Sequence, residues 1–344
     1  MTFENTDFAT DLAGYYDAIN WDAVTDPIDK MTLDKLNSQF WLDTRIPVSN
    51  DLDDWRVMSP VEKDLINKVF GGLTLLDTLQ SQDGVQAIRD DFITPHEVAV
   101  LNNIQFMESI HAKSYSTIFI TLNTRDVIEK VFEWTRNNKY IQKKAKLIND
   151  VYSLDSKAHH LNPLKKKAAS VLLETFLFYS GFYAPLYFLG NNKLSSVGEI
   201  IKLIIRDESV HGTYIGYKFK KGFKKLSKED QQELIDWVND LAMDLYLNEI
   251  EFTEEVYGEI GWTYDVVRFI EYNGSKAFQN LGLSPIFTIN MNEVNPVVMN
   301  GIQSTATNHD FFSKVGNSYV MGNAEAMTDT DYTEGAWHGH RRSK

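Results

Sequence analysis

The sequence predicts an all-α fold, and three observations support this prediction. Apolar residues recur with helical periodicity from about residue 30 to 283. Helix-capping signals open several of these periodic segments. No run of alternating apolar and polar residues is long enough for a convincing strand, which leaves helices as the building elements.

The individual helices follow from caps and periodicity. Ser59, Pro60 and Glu62 form the pattern of a capping box with proline at the first helical position, so a helix is expected from there to about Arg89. A second long helix is expected to begin at Pro95 and to end near residue 122. The remaining predicted helices span 124–137, 139–154, 161–189, 195–222, 228–257 and 263–281.

Charge runs and the C-terminal composition complete the predicted organisation. The lysine clusters at 143–146, 165–167 and 220–225 are most simply solvated helix faces. From Asn290 onward, apolar residues thin out and Asn, Gly, Ser, Thr and Asp take over. We therefore expect one helical domain over 1–285, followed by an extended, flexible C-terminal tail over 286–344 that binds a partner.

The composition excludes several classes of function. The chain has 344 residues, with 34 basic against 48 acidic side chains and a net charge of −14, which argues against a nucleic-acid surface. It has no cysteine, which excludes disulfides, thiolate zinc sites, iron–sulfur clusters and cysteine nucleophiles. Any bound metal must therefore be held by carboxylates and imidazoles.

The N-terminal segment and one apolar stretch bear on the compartment. Residues 1–20 are acidic and carry no early Lys or Arg, unlike a signal or transit peptide. Residues 170–190 are long enough to span a bilayer and hold one charge, Glu174. However, this stretch lacks a basic flank on one side and contains Gly181 and Pro185, so we favour a helix buried in a large helical protein. The expected protein is soluble and cytoplasmic.

Two segments share the pattern Glu-x-x-His: Glu108 with His111, and Glu208 with His211. Residues three apart lie on one face of a helix, so each pair can hold metal together. Both pairs occupy the apolar stripe of their predicted helices, where bare carboxylates are costly and would neutralise, pair or bind metal. One pair alone favours a hydrogen-bonded core imidazole, whereas the two together favour a metal site.

Two further carboxylates meet the same criterion. Asp77 continues the face that carries Phe70 and Leu73, and Glu174 lies in the most apolar helix of the chain. Four carboxylates and two imidazoles from four helices suit two divalent first-row ions such as iron or manganese. The set matches the ligand arrangement of ferritin-like dimetal carboxylate bundles, except that one position is Asp and not Glu.

Neighbouring residues suggest redox chemistry. Tyr115 lies one turn after His111 on the same predicted face, where a phenol can donate one electron to a dimetal centre, although a buried core tyrosine is the alternative. Asp207 precedes a predicted ligand and either orients His111 or is simply exposed. Trp41 would also pass as a core aromatic. The residues predicted to line a dry pocket around the phenol are Phe178, Phe182 and Ile204.

Several segments of the chain are characteristic of one family. They read FWLDTRIPVSND from residue 40, LLDTLQ around Asp77, ESIHAKSY from Glu108, LLETFLFYSGF around Glu174, RDESVHG around Glu208 and GNSYVMG from residue 316. Together they resemble the radical-generating small subunit (β, or R2) of class I ribonucleotide reductase. The resemblance extends from about residue 19 to 321, and the LFYSGFY run and the Asp77 context are more similar to class Ib than to class Ia.

The resemblance implies roles for individual residues. Tyr115 would carry the stable tyrosyl radical, and Trp41 and Asp207 match internal radical-transfer positions. Tyr319 matches the tyrosine that relays the radical to the large catalytic subunit. The implied ligands of two manganese or two iron ions, with dimanganese favoured, are Asp77, Glu108, His111, Glu174, Glu208 and His211.

The resemblance also implies a ferritin-like helical bundle with additional helices, and particular partners. These are a second copy of the chain in a homodimer, the large subunit that reduces ribonucleotides to deoxyribonucleotides, and a flavodoxin-like activating protein. The reduction requires thiols, so in a chain without cysteine it must occur on the other subunit. The final segment, 333–344, has no counterpart in the resemblance.

Two other functions use the same ligands. A ferritin-like metal storage protein would need neither a radical path nor a tail for a partner. A dimetal oxidase or oxygenase would need a substrate cavity at the metal, in space that Tyr115 would partly fill. No membrane or nucleic-acid partner is expected.

Overall fold

Helices form the described part of the chain, which in this computed structural model comprises residues 18–92, 94–289 and 291–303. No strand occurs within those ranges, so the predicted all-α fold is confirmed for them. In chain order the α-helices are α1 (Pro27–Ser38), α2 (Leu52–Val57), α3 (Pro60–Leu79), α4 (Val85–Ile88), α5 (Pro95–Leu122), α6 (Arg125–Asn137), α7 (Lys139–Tyr152), α8 (Asn162–Leu172), α9 (Tyr179–Gly190), α10 (Ser195–Phe223), α11 (Lys228–Tyr257), α12 (Thr263–Leu281) and α13 (Pro296–Gln303).

Two long helices begin where local chemistry predicts. The Ser59 hydroxyl accepts a hydrogen bond from the backbone N–H of Glu62, whose carboxylate accepts one from the N–H of Ser59. Thr94 and Glu97 form the same reciprocal pair at the start of α5. Each box satisfies N–H groups that have no partner inside the helix. These caps fix the starts of the two helices that carry Asp77 and Glu108.

Two predicted helices are interrupted by π-helical turns. One turn, Gln80–Gly84, separates α3 from α4, and the other, Leu173–Leu177, separates α8 from α9. A π turn adds a residue to the helical repeat, and such turns occur frequently at functional sites. The first begins three residues after Asp77 and the second contains Glu174.

The apolar stretch at 170–190 lies in the interior of the bundle. Its residues are buried from Ser170 to Leu186, and α9 packs against α3, α10 and α12. In the described residues, no helix combines the length and the hydropathy that a membrane span requires. The prediction of a buried helix is consistent with both findings.

A remote carboxylate caps α10, the helix that carries Glu208. The residue before this helix, Leu194, is buried in the left-handed region with φ 48°, and its own side chain makes no cap. Instead Asp51 accepts hydrogen bonds from the N–H groups of Ser196 and Val197 at 2.9 and 2.7 Å. The short 3₁₀ helix Val48–Asp51, which leads directly into α2, therefore anchors the start of α10.

Two predictions about the surface and the tail are wrong. Lys144 and Lys167, expected on solvated faces, are buried and form ion pairs with Glu249 and Asp91. Lys166 is also buried. The chain is not extended throughout 286–344, because α13 forms within that range and packs against α9. Burial of its apolar residues against the bundle stabilises this short helix. Residues 304–344, which include Tyr319, lie outside the described part of the chain.

Candidate dimetal site

The six predicted ligands converge in the interior of the bundle. Helix α3 supplies one carboxylate, α5 and α10 each supply a Glu-x-x-His pair, and the π turn Leu173–Leu177 supplies the last carboxylate. All six side chains are at most 1% exposed. They are Asp77, Glu108, His111, Glu174, Glu208 and His211.

The ligand atoms form two adjacent groups that share one carboxylate. Within each group, one oxygen or nitrogen atom of every residue lies within 4.8 Å of the others. Glu208 belongs to both groups, as expected for a carboxylate between two ions. The first group contains Asp77, Glu108, His111 and Glu208, and the second contains Glu174, Glu208 and His211.

Many polar atoms of these groups are buried without a hydrogen-bond partner. Both carboxylate oxygens of Asp77 are in this state, as is one oxygen, Oε2, of each of Glu108, Glu174 and Glu208. Unpartnered buried carboxylate oxygens are very costly unless they ligate a cation. The donor set of oxygens and imidazole nitrogens fits two first-row divalent ions, manganese or iron, and four negative charges balance two dications.

The protonation pattern of the metal-free site reflects the same crowding. Burial, followed by repulsion from Glu108, raises the pKa of both Asp77 and Glu174 well above the usual range. Burial also raises the pKa of Glu108, but the neighbouring imidazoles of His111 and His211 outweigh this effect and hold that pKa at about 2. Protons thus compensate part of the negative charge that two cations would neutralise.

Both histidines direct Nδ1 at carboxylates. His111 Nδ1 lies 2.8 Å from Glu208 Oε1, and His211 Nδ1 lies 2.9 Å from Glu108 Oε1. Burial lowers the pKa of both histidines, but hydrogen bonds to the carboxylates raise each pKa well above 6.5. Without metal, therefore, both imidazoles are in the positively charged form and lie among the carboxylates. Nδ1 is the atom placed to ligate a metal in each residue.

A hydrogen-bonded chain leads from His111 to Trp41. His111 Nε2 lies 3.2 Å from Oδ2 of Asp207, which accepts a 2.6 Å hydrogen bond from Nε1 of Trp41. The indole also stacks on the imidazole, with ring centroids 5.9 Å apart. Asp207 is 2% exposed, so the alternative of an exposed aspartate is wrong. It occupies the position of a carboxylate that orients a ligand histidine.

Tyr115 is fully buried beside the first group of ligands. Its hydroxyl has no hydrogen bond of standard geometry, and the ring of Phe70 stacks on it with centroids 5.4 Å apart. Burial, and then the negative charges of Asp77 and Glu208, raise the pKa of the phenol well above 10. Tyr115 is therefore protonated and sheltered from water.

The predicted pocket residues are buried as expected of a dry environment. Phe178, Phe182 and Ile204 are fully buried, and the two phenylalanine rings pack edge to face. Whether they border Tyr115 stays a prediction. Phe70 does contact Tyr115, although the sequence placed it only on the face of Asp77.

Sequence reasoning missed the residues that hold Glu174. Its Oε1 accepts hydrogen bonds from the amide of Gln80 and from the hydroxyl of Ser170, and Tyr152 contacts Gln80 in turn. Helical spacing offered a signal for two of them, since Gln80 lies three residues after Asp77 and Ser170 lies four before Glu174. Nothing in the local sequence indicated Tyr152.

The helical bundle and its buried carboxylate–histidine cluster define a class: the ferritin-like dimetal carboxylate proteins. Comparison with known proteins narrows this class. Residues 18–296 match the family model described as "Ribonucleotide reductase, small chain". The chain therefore belongs to the small-chain family of ribonucleotide reductase.

Relatives and solved structures agree with this family. The chain is 46% identical over 316 residues to ribonucleoside-diphosphate reductase 2 subunit beta of Escherichia coli, covering 92% of this chain and 97% of that protein. Identity is also 46% over 316 residues to subunit beta nrdF1 of Mycobacterium tuberculosis, covering 92% and 96%. The crystal structure of Streptococcus sanguinis dimanganese(II)-NrdF is 61% identical, with a TM-score of 0.81, covering 84% of this chain and 100% of that one.

These findings confirm the predicted family, the ferritin-like fold and the enzyme class. The chain is a small subunit of class I ribonucleoside-diphosphate reductase, an enzyme that acts on ribonucleotides. A less similar structure from Clostridium botulinum, 24% identical with a TM-score of 0.71, supports the fold alone. No finding favours the alternatives of metal storage or of a dimetal oxidase.

Proposed function

We propose that this chain is a class Ib small subunit that stores an oxidising equivalent as a radical on Tyr115. The radical would then be transferred reversibly to the large catalytic subunit for the reduction of ribonucleotides to deoxyribonucleotides. The observation that carries the proposal is the convergence of six buried ligands beside a buried phenol with an unpartnered hydroxyl. The names of the NrdF relatives support the class Ib assignment.

The six side chains would hold two manganese or two iron ions. Manganese is favoured by the 61%-identical Streptococcus sanguinis protein, whose structure is described as dimanganese(II). When bound and oxidised, the metal pair supplies the one-electron oxidation of the nearby phenol. Asp77 and Glu208 contribute unpartnered oxygens, and Nδ1 of His111 contributes the nitrogen donor nearest to Glu208.

Tyr115 must lose a proton as well as an electron to become a neutral radical. Asp77 is the carboxylate with the largest effect on the pKa of this phenol, and both of its oxygens lack hydrogen-bond partners. It is therefore the acceptor available for the phenolic proton. The complete burial of the ring excludes water, and Phe70 covers one of its faces.

The chain of Trp41, Asp207 and His111 would conduct the radical between the metal site and the subunit surface. Trp41 is 2% exposed, but the neighbouring Phe40 is 48% exposed, so the chain of contacts ends close to solvent. Tyr319, outside the described residues, would continue the route within the C-terminal tail. Residues beyond 303 would bind the large subunit.

The family supports two of the remaining partners, a second copy in a homodimer and a separate large subunit. We further propose a flavodoxin-like protein that delivers the oxidant for manganese assembly. Because this chain lacks cysteine, the thiols that reduce the substrate belong to the large subunit. A cytoplasmic location is proposed on the same grounds.

Electron paramagnetic resonance tests this proposal directly. Protein reconstituted with manganese or iron and its oxidant should give a narrow organic-radical signal that is absent from Tyr115→Phe. Tyr214→Phe is a matched control, because Tyr214 is also fully buried but hydrogen-bonds to Asp29 away from the ligands. Loss of the signal in the control, or its persistence in Tyr115→Phe, would contradict the assignment.

A further inference from the structure

The two ends of the metal site differ in how their outer carboxylates are held. Asp77 has two unpartnered oxygens. Glu174 has one, Oε2, because its Oε1 accepts hydrogen bonds from Nε2 of Gln80 and, at 3.0 Å, from Oγ of Ser170. One oxygen of Glu174 is thus committed to the protein and the other is left for metal.

The orientation of the Gln80 amide is fixed from its far side. The Tyr152 hydroxyl donates a 2.6 Å hydrogen bond to Oε1 of Gln80, so Nε2 must face the other way. Nε2 also donates to Ser170 at 3.0 Å, which leaves its second hydrogen for Glu174. Every donor in this series of hydrogen bonds points toward the Glu174 carboxylate. Its four residues, Tyr152, Gln80, Ser170 and Glu174, are all buried.

A glycine provides the space for this arrangement. A Cβ atom on Gly84 would overlap Oε1 of Gln80 and would lie 2.8 Å from Cε2 of Tyr152. Gly84 ends the π turn Gln80–Gly84, so the extra residue of that turn brings a position without a side chain under the amide. Contacts with the backbone at Gly84 and with the side chains of Tyr152, Ser170 and Glu174 therefore fix the position of the Gln80 amide.

We propose that Gln80 is a positioning residue for the metal subsite formed by Glu174, Glu208 and His211. By holding Oε1, Gln80 directs Oε2 of Glu174 toward the ion and makes this subsite differ from the one that contains Asp77. The proposal rests on the proposed dimetal function. Neutral amide and hydroxyl donors suit this role, because they stabilise the carboxylate without competing for metal as a cation would.

The test is a manganese titration of the full-length, metal-free chain, followed by electron paramagnetic resonance. Free Mn²⁺ gives a six-line signal, whereas a bound, coupled pair does not. Wild type should bind two equivalents. In Gln80→Leu, one of the two should bind about 10- to 100-fold more weakly, the usual effect of removing a residue that hydrogen-bonds to a ligand. At two equivalents this variant should therefore show the spectrum of isolated Mn²⁺.

Two further variants separate positioning from general damage. Gly84→Ala should weaken the same equivalent by displacing the amide, although Gln80 itself is unchanged. Gly71→Ala is the matched control. A Cβ on Gly71, in α3, would crowd Thr135 but contact none of the residues that hydrogen-bond around Gln80. The control should bind two equivalents as wild type does.

The outcomes distinguish this proposal from the proposed function. If wild type fails to bind two ions, both fail. If wild type binds two ions and both Gln80→Leu and Gly84→Ala bind them equally well, only the positioning role is overturned. Should Gln80→Leu not fold, Ser170→Ala removes the second donor to Oε1 and must weaken the same equivalent, or the proposal is wrong.

Discussion

Replacing Glu174 by glutamine should have opposite effects on the metal-free and the metal-loaded protein. Without metal, burial and the charge of Glu108 raise the pKa of Glu174, so the charged carboxylate destabilises the folded state. Glutamine keeps an oxygen that accepts the hydrogen bonds of Gln80 and Ser170 but has no charge. Metal-free Glu174→Gln should therefore be at least as stable as metal-free wild type.

The metal-dependent gain in stability can be estimated. An ion present at 100 times its dissociation constant stabilises the folded state by about 2.7 kcal/mol, so two ions contribute roughly 5 kcal/mol. Residues 18–303 unfold with an entropy of about 0.6 kcal/mol/K, from ~2.1 cal/mol/K per residue. Wild type should then gain about 9 °C in Tm on loading, and Glu174→Gln, which retains one intact subsite, roughly half of that.

Thermal unfolding with and without Mn²⁺ measures both effects. The sign of the pH dependence gives a second check on the metal-free state. A carboxyl whose folded-state pKa is raised binds more protons folded than unfolded, so stability falls as the pH rises above about 4.5. The stability difference between Glu174→Gln and wild type should thus widen from pH 5 to pH 7.

An exposed glutamate provides the control. Glu133→Gln on α6 should leave both the metal-free Tm and the metal-induced shift unchanged. The reasoning is refuted if Glu174→Gln retains the whole metal-induced shift, or if the metal-free variant is several degrees less stable than metal-free wild type.

Three further variants test other parts of the structure. Lys144→Met should destabilise the fold by about 3–5 kcal/mol in urea unfolding, because it leaves Glu249 buried without its cation, and adding Glu249→Leu should recover most of the loss; equal stabilities of the single and double variants would contradict this. Asp51→Ala should cost about 1–2 kcal/mol by removing the cap of α10, seen as a lower midpoint in the same assay; an unchanged midpoint would show that the cap is dispensable. Trp41→Phe, which removes the donor to Asp207, should form the Tyr115 radical normally but lose ribonucleotide reduction with the large subunit; normal turnover would remove Trp41 from the radical route.

Local chemistry in the sequence predicted much of the fold and of the metal site. The capping boxes at Ser59 and Thr94 are contained within four consecutive residues, so the starts of α3 and α5 could be predicted. The Glu-x-x-His spacing depends only on helix geometry. Acidic residues on apolar stripes predicted which helix faces turn inward, and the structure places all six proposed ligands there.

Features that depend on distant contacts could not be predicted. Gln80 and Tyr152 lie 72 positions apart, and Asp51 caps a helix 145 positions away. The burial of Lys144 depends on meeting Glu249 from another helix, whereas a run of lysines by itself indicates a solvated face. The π turns also escaped prediction, because one extra residue hardly changes the apolar periodicity of a long helix.

The central claim is that these six side chains bind two metal ions next to Tyr115. Crystals of the manganese-loaded protein, measured with X-rays at the manganese absorption edge, test it most directly. The account predicts two anomalous peaks per chain, one among Asp77, Glu108, His111 and Glu208 and the other among Glu174, Glu208 and His211. A single peak, or peaks only at the protein surface, would contradict it.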